Sequence, residues 1–289
     1  MKKRVLKFLF VSSLCLSLAG CVKMALKFTP SFIPNLAKTF FEECDPDLAK
    51  QSLPASLKLM EGLLKNDPEN KQILTTLCTA FTGYTMLFVE EDDPEAASSL
   101  YLRARGYGFK ALGRKAPVSK DGGFKKDVIS DRVNAIGEGD LEALFWTAMA
   151  WNSWINLNLD KPAALGQLSA AQSCVKRVLE IKPDYFFGAP YILLGSVLAA
   201  MPAQLGGDET GARQCFDKAI QLSDGKFLLA HYYFARYYAV RVQNKNLFLK
   251  LIDEIQNASS DNLNEVCLIN AVVKQKSKRL AEMSEDLFL

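Results

Sequence analysis

A single histidine, His231, stands among the 289 residues. One imidazole cannot build a histidine-based metal cluster. Its apolar and aromatic neighbours favour a packed or groove-lining role over a catalytic one. No G-x-S-x-G, P-loop or G-x-G-x-x-G occurs. Gly206-Gly207-Asp208 has a nest-like composition, but it follows Pro202 and precedes the cap-like Asp208-Glu209-Thr210, so it reads as a turn into a helix. The cysteines form no C-x-x-C and match no zinc spacing. These gaps point away from an enzyme, and no cofactor or metal is expected. Strand-like alternation is also missing: after Pro54 nearly every long segment has a helical apolar period.

The N-terminus is distinctive. Lys2, Lys3, Arg4 and Lys7 open it, and an apolar run carries on to Ala19. At roughly 12 to 15 residues the run is short for a membrane-spanning helix. A basic head, an apolar middle and a small-residue exit describe a secretory signal over residues 1–20. The exit, Leu18-Ala19-Gly20-Cys21, is similar to the lipobox of bacterial lipoproteins. That resemblance implies cleavage before Cys21 and acylation of its thiol, palmitate-type chains anchoring the protein to a membrane. Each buried CH₂ supplies about 0.8 kcal/mol, so two or more chains hold stably. Four basic residues and no acidic ones precede Cys21, leaving 31 basic and 32 acidic residues behind it. A charge so near zero gives no reason to expect nucleic acid as a partner. Five cysteines follow Cys21 (Cys44, Cys78, Cys174, Cys215 and Cys267), an odd number that cannot all pair within one chain. They read as free thiols used as small apolar side chains.

Residues 21–45 read as a membrane tether containing Pro30 and Pro34, and residues 46–289 as one helical domain. The segment near 114–127, polar and glycine-containing, reads as a surface loop. Turn signals punctuate the helices at Asn66-Asp67-Pro68, Asp92-Asp93-Pro94, Lys182-Pro183-Asp184, Gly206-Gly207-Asp208 and Ser223-Asp224-Gly225. Between them a helix-pair repeat recurs. First-helix patterns are Leu74-x2-Leu77-Cys78-x2-Phe81, Leu144-x2-Thr147-Ala148-x2-Trp151, Tyr191-x2-Leu194-Gly195-x2-Leu198 and Ala230-x2-Tyr233-Phe234-x2-Tyr237. Second-helix patterns are Ala171-x3-Val175-x2-Val178 and Ala212-x3-Phe216-x2-Ala219, with 245–256 partnering the last first helix. Small residues at the middle of each pattern let backbones approach, and large ones fill the gap. One pair cannot bury its apolar face alone, so pairs stack. The expected fold is all-α: a degenerate TPR-like solenoid of about four helix pairs with extra N- and C-terminal helices.

A narrower likeness rests on ordered segments along the mature chain. They are Asp45-Pro46-Asp47 to Leu53-Pro54, Leu57 to Leu64, Asp67-Pro68-Glu69-Asn70, Phe81-Thr82-Gly83-Tyr84, Phe88-Val89-Glu90 and Arg103-Ala104-Arg105 with Tyr107. They continue with Phe145-Trp146, Trp151, Trp154-Ile155, Leu194-Gly195 through Pro202 to Leu205-Gly206-Gly207, Phe234 to Tyr238, Asn270-Ala271 and Leu287-Phe288. Together they resemble the TPR-containing lipoprotein T component (TatT) of tripartite ATP-independent periplasmic (TRAP) transporters. The resemblance implies a lipid-anchored protein facing the periplasm that associates with the transporter's solute-binding protein. It also implies a homo-trimer with a channel or cleft suited to an apolar ligand.

Helical geometry turns the residue after each packing anchor about 100° toward the concave side. This gives four rows: Thr75, Thr79 and Thr82; Phe145, Met149 and Asn152; Ile192, Ser196 and Ala199; His231, Ala235 and Tyr238. None of the twelve is charged, which suits a ligand groove and equally a concave side filled by inserted segments. Trp151 and Trp154 fall on the packing face and read as core. Two functions fit: a transporter accessory with a ligand groove, or a scaffold lipoprotein docking envelope proteins with no small ligand.

Overall fold

Apolar residues at helical spacing, cut by capping Asp and Asn residues, produce a stack of antiparallel helix pairs in this computed structural model, which describes residues 32–119 and 122–288. The signal segment and Cys21 lie outside the described residues. The helices are α1 (Phe32–Glu42), α2 (Pro46–Leu64), α3 (Lys71–Phe88), α4 (Pro94–Leu112), α5 (Lys126–Asn134), α6 (Leu141–Asn156) and α7 (Pro162–Leu165). There follow α8 (Leu168–Ile181), α9 (Tyr185–Ala200), α10 (Glu209–Leu222), α11 (Leu228–Tyr233), α12 (Lys245–Asn257), α13 (Cys267–Glu282) and α14 (Ser284–Leu287). A π-helical stretch, Phe234–Ala239, continues α11. No strand occurs among the described residues.

The turn signals do what their chemistry requires. Asp45 accepts from the Asp47 and Leu48 amides, with Pro46 opening α2. Asn70 accepts from Ile73, Asp93 from Ala96 before α4, Asp208 from Gly211 and Asn244 from Leu247. Each cap satisfies amides that the first turn leaves unpaired, and is worth about 1 kcal/mol. The pairs are α3 with α4, α6 with α8, α9 with α10, and α11 with α12. The small residues sit at the crossings. A Cβ on Gly195 would lie 3.2 Å from the Ala212 carbonyl and the Phe216 ring, across α9 and α10. Gly108 of α4 faces Thr147 of α6 and Cys78 of α3, leaving no room for a methyl group.

The stack closes on itself. Helix α13 packs against α11 and α12 at one end and against α1, α2 and α3 at the other. Glu91, in the turn between α3 and α4, fastens the closure. It accepts from Arg236 at 2.5 Å and Tyr232 at 2.6 Å, and it pairs with Lys276 of α13 at 3.2 Å. Lys276 also donates to the Met86 carbonyl at 2.9 Å. Burial alone would raise the Glu91 carboxyl, but Lys276, the Tyr232 hydroxyl and Arg236 outweigh it and hold it below its ordinary value.

A disulfide reinforces the same seam. Cys44, just after α1, is bonded to Cys267 at the start of α13, with Cα atoms 5.1 Å apart. This corrects the expectation of five free thiols. The partners are 223 residues apart, and only ring closure brings them together, so no local spacing announces the bond. Cys78, Cys174 and Cys215 are free; burial pushes the first two thiols up to about 12 and the third to about 11.

One segment differs from its sequence reading. Residues 32–42 of the supposed tether form α1, packed on α3 and α13 through Ile33, Phe40 and Phe41. The stretch after α4 is largely irregular and is fastened to the body: Arg132 of α5 donates to the Ala116 and Val118 carbonyls, and Phe124 rests on Trp151 with centroids 5.1 Å apart.

Candidate functional site

A large opening lies under α1, where the N-terminal helix crosses the start of α6 and the α8–α9 turn. Its volume is about 570 Å³. Ala37 and Phe41 come from α1, Thr79 from α3, Trp146 from α6, Leu222 from α10, and Tyr185, Phe186 and Phe187 from the start of α9. Phe41 stacks on Trp146, centroids 5.7 Å apart and planes 13° apart. Phe186 meets both edge-on, at 5.7 Å from Phe41 and 5.5 Å from Trp146. The charged residues Lys38, Glu142, Lys182, Asp184 and Glu265 ring the aromatic wall.

The backbone builds part of this wall at a cost. Phe186 and Phe187 have φ of 45° and 59°, followed by Gly188 at 82°, a left-handed turn before the right-handed part of α9 opens at Pro190. Non-glycine residues held there cost about 1 to 3 kcal/mol each, and such outliers cluster at ligand clamps. Pro183 and Pro190 bracket the turn and keep it from joining a regular helix. The result is that three consecutive aromatic side chains, Tyr185 to Phe187, stay half-buried at the opening.

Two polar residues, Thr79 and Glu142, line this region. Thr79 is 2% exposed, yet its hydroxyl has no hydrogen-bond partner. Its neighbours Thr82 and Thr85 bond the Cys78 and Phe81 carbonyls one turn back, each at 2.7 Å. Glu142 stands between the aromatic cavity and a second recess of about 210 Å³ formed with Lys71, Gln72, Thr75 and Thr76. Desolvation pushes its carboxyl above the ordinary value, and the Tyr185 phenol is raised by burial and by Glu142 beside it.

The twelve positions read from the sequence do not line one surface. Thr79 lines the aromatic cavity and Thr75 the recess beside it. Met149, Asn152 and Ser196 meet at a separate void of about 30 Å³ between α6 and α9, with Glu90, Tyr233 and Tyr237. There Asn152 donates to the Ala148 carbonyl at 2.8 Å while its Oδ1 stays unpartnered. Thr82, Phe145, Ile192, Ala199, His231, Ala235 and Tyr238 are buried and line none of these openings. His231 is 3.7 Å from Glu254, and burial pushes its imidazole below its ordinary value although Glu254 opposes the shift. Trp151 and Trp154 are core, as expected.

Sequence reasoning missed Phe41 and Tyr185-Phe186-Phe187 as wall residues. A signal existed: three consecutive aromatics between Pro183 and Pro190 cannot all face one side of a helix. Phe41 was legible as apolar, but not as a residue that crosses the open side of the stack.

The fold and the cavity together define a closed helix-pair solenoid with an open aromatic cavity beneath α1 and no recognisable catalytic constellation among the described residues. The TRAP transporter T-component family model matches residues 42–288, and the chain belongs to that family. It is therefore an accessory component of a TRAP-type transport system, a cell-envelope assembly. An uncharacterized protein of Treponema pallidum (strain Nichols) is similar to it, 24% identical over 323 aligned positions that cover 99% of this chain and 98% of the relative. No helix among the described residues is long and apolar enough to cross a membrane.

Proposed function

We propose that this T component is tethered through acylated Cys21, faces the periplasm and docks the solute-binding protein of its transporter. In this reading it assembles as a trimer and holds an apolar ligand in the cavity beneath α1. The carrying observation is that cavity: about 570 Å³, walled by Phe41, Trp146, Phe186 and Phe187, with the unpartnered Thr79 hydroxyl. Ligand pockets of 300 to 1,000 Å³ are typically apolar with a few polar groups to orient what they hold. Two experiments separate the parts. Cys21→Ala should move the protein from the membrane to the soluble periplasmic fraction; sedimentation with membranes after a high-salt wash would remove the anchor. Affinity capture on the purified chain should retain the solute-binding protein of the same transport system, and failure to retain it at micromolar concentration would remove the docking role.

The scaffold reading, with no small ligand, draws support from the burial of Ile192, Ala199, Ala235 and Tyr238, which leaves little open concave face. It gives no reason for a strained aromatic turn beside a void.

A further inference from the structure

Arg103-Ala104-Arg105-x-Tyr107 on α4 is only partly used by the packing described so far. Arg103 and Tyr107 converge on Glu61 of α2, the phenol donating at 2.5 Å, and Arg103 lies over the Phe81 ring. Arg105, two positions on, points roughly to the opposite side of the helix and meets no carboxylate among the described residues. Its Nη1 donates to Gln167 Oε1 at 2.8 Å, an oxygen already accepting from Trp151 Nε1 at 3.0 Å. The guanidinium carbon lies 5.3 Å from the Phe109 and Trp151 centroids and 5.4 Å from that of Trp154.

The other half-buried arginines are paid in full: Arg177 by Glu180 and the Ile136 carbonyl, Arg236 by Glu91, and Arg132 by two carbonyls. Arg105 has five N–H donors and one shared neutral acceptor. Burial pushes its guanidinium down to about 10, with no charged neighbour contributing. A desolvated cation without a counter-ion is costly. Ring faces soften that cost, and the in-plane N–H groups not given to Gln167 stay at a half-buried position open to a ligand. Those groups match a carboxylate, which takes two parallel N–H bonds from one guanidinium.

We propose that Arg105, Gln167 and the Phe109, Trp151 and Trp154 rings form a second binding site, for a carboxylate. The acid can be free and carried on a flat apolar body, or be the side chain of an acidic residue on a partner protein. The site lies between α4, α6 and the start of α8, and its residues are distinct from those lining the cavity under α1.

The test uses the three tryptophan indole N–H resonances, assigned by Trp→Phe variants, in the intact chain at constant ionic strength. Benzoate represents the free acid and N-acetylglutamate amide the acidic side chain, each titrated against chloride. A saturable shift of the Trp151 resonance is expected with at least one of them. The tighter probe names the source. Arg105→Gln should weaken it at least tenfold, whereas Arg103→Gln should leave it unchanged. Arg105→Met should raise the melting temperature of the ligand-free protein by a few degrees and abolish any rise given by the probe. Shifts that fail to saturate with both probes, or that persist in Arg105→Gln, overturn the proposal. So does a lower melting temperature in Arg105→Met, because the guanidinium would then be holding α4 to α8.

Discussion

Thr79→Val isolates the polar feature of the cavity. Valine keeps the shape of threonine and replaces the hydroxyl with a methyl group. That hydroxyl is buried, with no partner, and an unpaired polar group in such a place costs about 1 to 3 kcal/mol. Helix propensity barely separates the two residues, so the burial effect dominates. The variant should therefore gain about 1 to 2 kcal/mol when empty. At about 2 to 4 °C per kcal/mol for a chain of this size, its melt followed at 222 nm should rise by roughly 2 to 8 °C. If the hydroxyl serves a bound molecule, dodecanol should bind the variant several-fold more weakly, and Thr79→Ser should restore part of the loss. A melting temperature that falls by several degrees would refute the reasoning, since Oγ1 would then have a structural partner such as the Thr75 carbonyl.

The seam makes two further predictions. Removing the Cys44–Cys267 bond as a double serine variant frees a loop of 223 residues, worth at most about 5 kcal/mol by chain entropy. The melt should fall markedly, and wild-type protein in a thiol reductant should follow it; no change in either would mean that α1 is held by packing alone. Glu91→Gln should cost about 3 kcal/mol, because Lys276 and Arg236 lose a buried counter-charge, as read by urea unfolding. The pH dependence follows from the lowered Glu91 carboxyl. Its contribution is present above the unfolded carboxylate value of about 4.3 and is lost as pH falls through the folded value. Wild-type stability should drop more steeply below that pH than that of the variant, and parallel profiles would contradict the linkage.

What was legible in the sequence was local. The four first helices, their Cys78, Ala148 and Gly195 crossing points and the capping turns follow from period and composition, and each lies where the chain places it. Closure was not legible. Glu91 meets Lys276 far along the chain, and Cys44 meets Cys267, because the stack curves until its ends touch. Curvature accumulates over repeats and leaves no mark at one position. The cavity was half-legible for the same reason. The anchor-plus-one rule assumes an open concave face and finds Thr75 and Thr79 beside the opening. Closure and the return of α1 turn Ile192, Ala235 and Tyr238 into core.

The central claim is that the void under α1 is a binding cavity, and filling it is the most direct test. Ala37 on α1 lines the opening, and Ala37→Trp places an indole inside it. Titration with the neutral fluorophore N-phenyl-1-naphthylamine should saturate at one site per chain in the wild type. The variant should bind at least tenfold more weakly, a loss of about 1.4 kcal/mol or more, while its melting temperature stays within a few degrees. Undiminished binding in a folded Ala37→Trp variant, or no saturable binding by the wild type, would contradict the account.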